Sequence, residues 1–211
     1  MKNIIPTRIL KGLILSIPFL FVSNLIQANT IHFHANLSGP AESPVNASPG
    51  TGLADVYFDD VAKTMRVVVS FSGLTGTTTA SHIHAATTVP GTGTAGVATQ
   101  TPTFAGFPLG VTSGSYDNLF DLTLATSFNA SYVTSNGGTL ASASLALENA
   151  LLADKAYLNI HTSAFPGGEI RGFLHNVPDS TSTALLLFLA FGGIVCFVRL
   201  RETDHLVQAS A

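Results

Sequence analysis

Alternating hydrophobic and polar residues mark the middle of the chain as β-structure. Ala54, Val56 and Phe58 are separated by single polar residues, and residues 65–71 repeat the same alternation. A period of two places every second side chain on one face of a strand, which is typical of strands with one buried face. The short link 60–63 predicts that these two strands form a hairpin.

Several other short segments are bounded by Gly, Pro, Ser, Thr and Asn, and these segments are predicted to be strands: 31–37, 82–86, 119–125, 155–162 and 169–175. Strands at this spacing indicate an all-β fold, an antiparallel sandwich or barrel of about 7–9 strands. Leu140, Ala143 and Leu147 follow helical spacing instead, which predicts one short helix near 140–153. The Thr- and Gly-rich stretch 87–108 is predicted to be an excursion between strands.

The two ends of the chain differ in composition from the middle. A basic start and an apolar run at 13–26, followed by Ala28, predict a secretory signal peptide at 1–28. An uncleaved anchor helix is the alternative, and in both cases the following residues cross a membrane. A second apolar run leads to Arg199 and predicts a transmembrane helix at 184–200 with its arginines on the cytoplasmic side. The domain at 29–176 is then expected outside the cytoplasm, with a polar tail at 202–211.

The charge and cysteine content narrow the class of the central domain. Between residues 29 and 178, four basic residues face nine acidic ones, a net formal charge of −5. This acidic domain has no basic patch, so we expect no nucleic-acid partner. The single cysteine, Cys196, lies in the C-terminal apolar run, so the domain contains no disulfide and is not a small disulfide-stabilised scaffold.

Motifs spread over most of the central domain resemble the CHRD domain, a chordin-type module that also occurs in bacterial exported proteins. They are LSGPAESPV at 37–45, FSGLT at 71–75 leading to HIH at 82–84, AYLNIHT at 156–162 and PGGEIRG at 166–172. The resemblance implies an antiparallel β fold in an exported protein. It implies no particular activity.

The C-terminal region, residues 177–201, resembles a PEP-CTERM sorting signal. Val177, Pro178, Asp179 and Ser180 precede the apolar run and Arg199, which is similar to the Val-Pro-Asp-Ser variant of these signals. The resemblance implies an exosortase-type peptidase as a partner and the membrane as a temporary or permanent anchor. It also implies delivery to the cell surface or to extracellular polymer.

The His-x-His motif is the main candidate for chemistry. Residues two apart on a strand point to the same face, so His82 and His84 could bind one metal ion if His161 approached from a neighbouring strand. Zinc and copper both accept imidazole ligands. The Gly-Leu-Thr stretch ahead of this motif is locally similar to copper/zinc superoxide dismutases. Ring nitrogens within about 4–5 Å of one another would favour such a site.

A structural network is the competing interpretation of these histidines. Glu169 and Arg171 are also two apart, and with Asn159 they could form an ion-pair and hydrogen-bond network around His82 and His84. A second pair, His32 and His34, is predicted to lie at an exposed strand end, where adventitious metal binding is an alternative.

No complete catalytic set is visible, so the first hypothesis is a non-enzymatic module that binds a protein or polysaccharide in the cell envelope or extracellular matrix. The alternative is a metal-binding protein, with redox activity as its extension. A hydrolase acting on surface polymer is a third hypothesis, which would need a pocket beside His161.

Overall fold

A computed structural model describes residues 30–178 of the 211-residue chain. The strands are β1 (Thr30–Ser38), β2 (Thr51–Asp59), β3 (Thr64–Ser72), β4 (Thr78–His84), β5 (Gly114–Asp121), β6 (Tyr157–Thr162), β7 (Ile170–Phe173) and β8 (His175–Asn176). Two helices, α1 (Ala130–Ser135) and α2 (Leu140–Leu152), lie between β5 and β6. Short 3₁₀ turns occupy Gly39–Ala41 and Ala125–Ser127.

All eight strands belong to one antiparallel sheet. Its order is β4-β6-β7-β1-β2-β3-β5, and β8 pairs with β1 beside β7. The sheet forms a half-barrel, so the predicted all-β, antiparallel architecture is confirmed. The predicted hairpin is β2–β3, where Asp59 pairs with Thr64 and the Asp59 carboxylate accepts hydrogen bonds from the turn amides of Val61 and Ala62.

One side of the sheet packs on the hydrophobic core. Phe33, Val56 and Val67 on the central strands are fully buried there. The predicted helix near 140–153 is α2, which begins at a capping box between Thr139 and Ser142 and buries Leu147 in the same core. The shorter α1 was not predicted, because its six residues, ASYVTS, are too few and too polar to show helical periodicity.

The segment 85–113, which contains the stretch 87–108 predicted as an excursion between strands, covers the free edge of β4. The amide of Ala98 donates to the Ile83 carbonyl (2.9 Å), and the amide of Phe104 donates to the Ser81 carbonyl (3.1 Å). An uncovered edge strand would present unpaired backbone groups. We call this segment the covering loop.

Strands β4, β6 and β7 are buried on both faces, unlike the rest of the sheet. On the core side lie Ile83, Leu158, Ile160 and Ile170. The opposite side carries mostly polar residues that loops shield from solvent, and we call this set the polar cluster: Glu42, His82, His84, Tyr157, Asn159, His161 and Arg171. The candidate site therefore lies between the sheet and its covering loops.

Several predictions concern residues outside the described range. These are the signal peptide at 1–28, the transmembrane helix at 184–200, the tail at 202–211, and Asp179 and Ser180 of the sorting motif. Within residues 30–178, no helix has the length and apolarity needed to cross a membrane.

Candidate metal centre

The sheet brings the three predicted histidines together. His82 and His84 lie on β4, and His161 lies on the adjacent strand β6, where it pairs with Ala80. One ring nitrogen of each histidine lies within 4.8 Å of those of the other two. This distance falls within the range expected for a metal site. A bound ion with metal–nitrogen bonds of about 2.0–2.1 Å would draw these nitrogens to roughly 3.3 Å from one another.

Each ring of this trio is oriented by a backbone carbonyl, two from the covering loop and one from the link between β6 and β7. His82 Nε2 donates to the Pro102 carbonyl (2.5 Å), His84 Nδ1 to that of Ala95 (2.9 Å), and His161 Nδ1 to that of Pro166 (2.9 Å). A hydrogen bond from one ring nitrogen fixes the tautomer and leaves the other nitrogen as an acceptor. Metal-binding histidines are usually held in this way.

The second nitrogen of each ring is buried and has no hydrogen-bond partner. Among residues 30–178, five buried side-chain polar atoms lack a partner, and all five belong to the polar cluster: His82 Nδ1, His84 Nε2, His161 Nε2, Glu42 Oε1 and Asn159 Oδ1. Buried polar atoms are normally paired, because an unpaired one costs about 1–3 kcal/mol. All five acceptors therefore lie close together on one face of the sheet.

The other two predicted histidines, His32 and His34, share an acidic hydrogen-bond partner. His32 Nε2 and His34 Nδ1 both contact Asp55 Oδ1, at 2.7 and 3.0 Å. Burial opposes ionisation of Asp55, but its hydrogen bonds with His34 and His32 outweigh that effect and lower its pKa. This pair is only partly buried and already has an acidic partner, unlike the trio.

The trio is electrically neutral at pH 7, which is the form that binds metal ions. Burial lowers the pKa of His84 to about 4, although its hydrogen bond to Ala95 opposes the shift. Burial also lowers the pKa values of His82 and His161. Protons therefore compete less for these free ring nitrogens than for those of an exposed histidine.

Tyr157 links the trio to Arg171. Its ring stacks on that of His84, with centroids 4.8 Å apart and planes within 3° of parallel. The Arg171 guanidinium lies over the same tyrosine ring, 4.7 Å from its centroid, and donates to the Gly93 carbonyl (3.0 Å). Tyr157 also accepts a hydrogen bond from the Ala95 amide (3.3 Å). These contacts hold the covering loop against the trio.

The structure separates Glu169 from the other residues of the predicted network. Asn159 and Arg171 face each other across β6 and β7 within the polar cluster. The acidic neighbour of Arg171 is Glu42, whose Oε2 lies 3.8 Å from Arg171 Nε, rather than Glu169. Glu42 was not singled out from the sequence, although it lies in the 37–45 motif.

Glu169 has a different role, because it joins two loops to the end of β6. Its carboxylate accepts from the hydroxyls of Ser48 and Thr162 (2.6 Å each) and from the amides of Thr75 (2.5 Å) and Gly76 (3.1 Å). Burial opposes ionisation of Glu169, but these hydrogen bonds outweigh that effect and lower its pKa. Glu169 is therefore a structural carboxylate, saturated with donors.

Comparison with known protein families agrees with the motifs. The family model described as CHRD domain matches residues 33–174, which is more than half of the chain. The chain belongs to the CHRD domain family. No curated protein and no solved structure matches it.

All of the polar cluster lies inside the matched range of the CHRD domain. Of the motifs that indicated the family, HIH at 82–84 and the NIH part of AYLNIHT supply the trio and Asn159. Glu42 and Arg171 come from the first and last motifs. The residues that carry the family resemblance and those that form the candidate centre therefore overlap.

Proposed function

We propose that this CHRD domain is a non-enzymatic module that binds one transition-metal ion through His82, His84 and His161. The supporting observation is the set of three buried ring nitrogens that lack partners while the opposite nitrogen of each ring is fixed by a carbonyl. A purely structural histidine network would pair both nitrogens, because unpaired buried groups are destabilising. A metal ion satisfies all three nitrogens at once.

The ligand set points to zinc or copper. Three neutral imidazoles suit both ions, and the described residues contain no cysteine that would favour a thiolate site. Copper(II) forms the more stable complexes of the two with nitrogen ligands. Three protein ligands also leave one coordination position open, which is typical of sites that exchange a ligand.

The location of this function follows from the ends of the chain. The predicted signal peptide and C-terminal apolar run support a domain displayed outside the cytoplasm, in the cell envelope or beyond it. Processing at Val177–Pro178 and the following residues by an exosortase-type peptidase stays a prediction from the sequence. Binding of a surface protein or polysaccharide also stays a prediction.

The test is metal binding by the full-length chain and by two matched histidine variants. We expect the wild type to bind one equivalent of Zn²⁺ or Cu²⁺. At a free metal concentration 100-fold above Kd, unfolding becomes about 2.7 kcal/mol less favourable. For a domain of this size the melting temperature then rises by about 5–10 °C.

His84→Ala removes one ligand and should weaken binding by on the order of 100-fold or more, which lowers the stabilisation at the same metal concentration from about 2.7 to about 0.4 kcal/mol or less. His175→Ala is the control, because His175 is an exposed histidine that pairs with Asp154 outside the polar cluster. Calorimetric titration and thermal unfolding measure both effects. Equal metal binding by the two variants would contradict the proposal.

A further inference from the structure

Two more atoms of the polar cluster lack partners, and both are oxygen acceptors. Asn159 is 3% exposed and Glu42 is 6% exposed, yet Asn159 Oδ1 and Glu42 Oε1 receive no hydrogen bond. The weak ion pair with Arg171 uses the other carboxylate oxygen, Glu42 Oε2. Both oxygens are therefore free to accept hydrogen bonds from a bound group.

Asn159 stands directly beside the histidine trio. It pairs with His82 across β4 and β6, and side chains so paired have β-carbons about 4.5–5.5 Å apart. On its own strand it is two residues from His161, so both side chains point to the same face. A ligand that accepts or donates at Asn159 would thus lie next to an ion held by the trio.

Gly168 lies against both oxygens, and its contacts limit the distance between them. A β-carbon at this position would lie 2.7 Å from Asn159 Oδ1 and 2.8 Å from Glu42 Oε1, so the oxygens are at most 5.5 Å apart. The φ angle of Gly168 is +133°, a conformation that favours glycine. A β-carbon here would collide with both side chains, so only glycine lets the backbone lie this close to the two oxygens.

The donors of a metal-bound water match these two acceptors. The oxygen of such a water binds the ion, and each of its two O–H groups can donate one hydrogen bond. With hydrogen bonds of about 2.8 Å, it spans acceptors roughly 4.5 Å apart, which is within the limit set by Gly168. Burial raises the pKa of the Glu42 carboxyl to about 7. A positively charged ion nearby would favour the anionic form and so offset this effect.

We propose that a water molecule is the fourth ligand of the bound metal and that its two O–H groups donate to Asn159 Oδ1 and Glu42 Oε1. This inference rests on the proposed metal binding. It makes the fourth position exchangeable for small anions. Their route of entry is the pocket of about 360 Å³ between the loops 42–46 and 164–168, which is lined by Glu42, Pro166 and Gly168.

The experiment uses Cu²⁺ as the probe in the full-length chain. Pulsed electron paramagnetic resonance resolves both the histidine nitrogens bound to copper and the deuterons of a coordinated water after transfer to D₂O. We expect both signals in the wild type. Added azide should remove the deuteron signal and keep the histidine signals.

Asn159→Leu keeps the size of the side chain and removes the acceptor. We expect Cu²⁺ affinity to fall by about 10–100-fold, as for other groups that orient a metal ligand, with the three histidine signals unchanged. Asn36→Leu, at an exposed position of β1, is the control and should bind like the wild type.

The outcomes separate this inference from the proposed function. Histidine signals without a deuteron signal in the wild type would overturn the water ligand and leave metal binding intact. Unchanged affinity and an unchanged deuteron signal in Asn159→Leu would overturn the role of Asn159. If Cu²⁺ added to the wild type gives no histidine signals, both proposals are overturned.

Discussion

Glu169 shows how one charged residue can stabilise loops that are distant in sequence. It lies just before β7 and accepts four hydrogen bonds, two from hydroxyls and two from backbone amides. Hydrogen bonds to an ionised group are stronger than neutral ones, contributing about 1.5–3 kcal/mol each when measured singly. The carboxylate thus adds to the direct hydrogen bonds between these segments, such as that from the Ser163 amide to the Thr77 carbonyl (2.9 Å).

We predict that Glu169→Gln destabilises the domain by roughly 2–4 kcal/mol at pH 7, because an amide nitrogen then faces donors. The control is Glu148→Gln, since Glu148 lies on α2 outside this network. Chemical denaturation of both variants measures the difference. A loss for Glu169→Gln no larger than for the control would contradict this role.

The same contact should depend on pH in one direction. The pKa of Glu169 is lowered in the folded state from its usual value of 4.5. Its contribution is therefore complete above about pH 4.5 and is lost as the pH falls through the lower folded-state pKa. The stability curves of wild type and Glu169→Gln should converge in this acidic range.

Close approach of two strands explains a requirement for glycine in β7. A β-carbon on Gly172 would collide with the Asn36 carbonyl of β1 and lie 3.2 Å from the Ala35 side chain. Backbone atoms cannot move aside as the end of a flexible side chain can. The junction between β1 and β7 therefore accepts only a hydrogen atom here.

We predict that Gly172→Ala costs about 1–3 kcal/mol or more, as overpacked cores do. Gly96→Ala in the covering loop is the matched control, because its new β-carbon meets no atom within 4 Å. Urea unfolding of both variants measures the costs. Similar midpoints for the two would show that β1 and β7 can separate without loss.

The hairpin, the helix α2 and the antiparallel class could all be predicted, because their hydrophobic periodicity is local. Strand ends were harder. Ala85 and Ala86 were expected in β4, but the chain turns there into the covering loop, and 122–125 was expected in β5 but forms a turn in which Leu124 donates to Asp121. Apolar residues in a loop that covers a sheet resemble the end of a strand.

The candidate site was predictable only in part, for a similar reason. His82 and His84 share a face by strand geometry, and His161 followed from the family pattern. The sequence could not show that loops cover this face, because the covering residues are far away in the chain. Glu42, 117 positions before Asn159, comes beside it only when the 3₁₀ turn Gly39–Ala41 packs on β7.

Across the whole domain, the trio connects two segments that are far apart in the sequence. Its carbonyl acceptors are Ala95, Pro102 and Pro166, in the covering loop and in the link between β6 and β7. An ion that fixes the three rings should also suppress local opening of these segments, because opening would release the ion.

We therefore predict slower amide hydrogen exchange in peptides spanning 91–104 and 163–168 when Zn²⁺ is added to the wild type. The hairpin turn 60–63, on a distant part of the sheet, serves as the internal control and should exchange at the same rate. In His84→Ala the same zinc concentration should leave all three segments unchanged. Uniform slowing over the whole domain would instead indicate global stabilisation.

Because the trio donates its hydrogen bonds to main-chain oxygens, its geometry does not require particular side chains in the surrounding loops. Any residue type offers a carbonyl, so these loops could diverge in side chains while the imidazoles keep their tautomers. Related proteins with the same centre should then be found through a His-x-His strand beside an Asn-x-His strand. The lengths of their loops would identify them better than the amino-acid sequences of those loops.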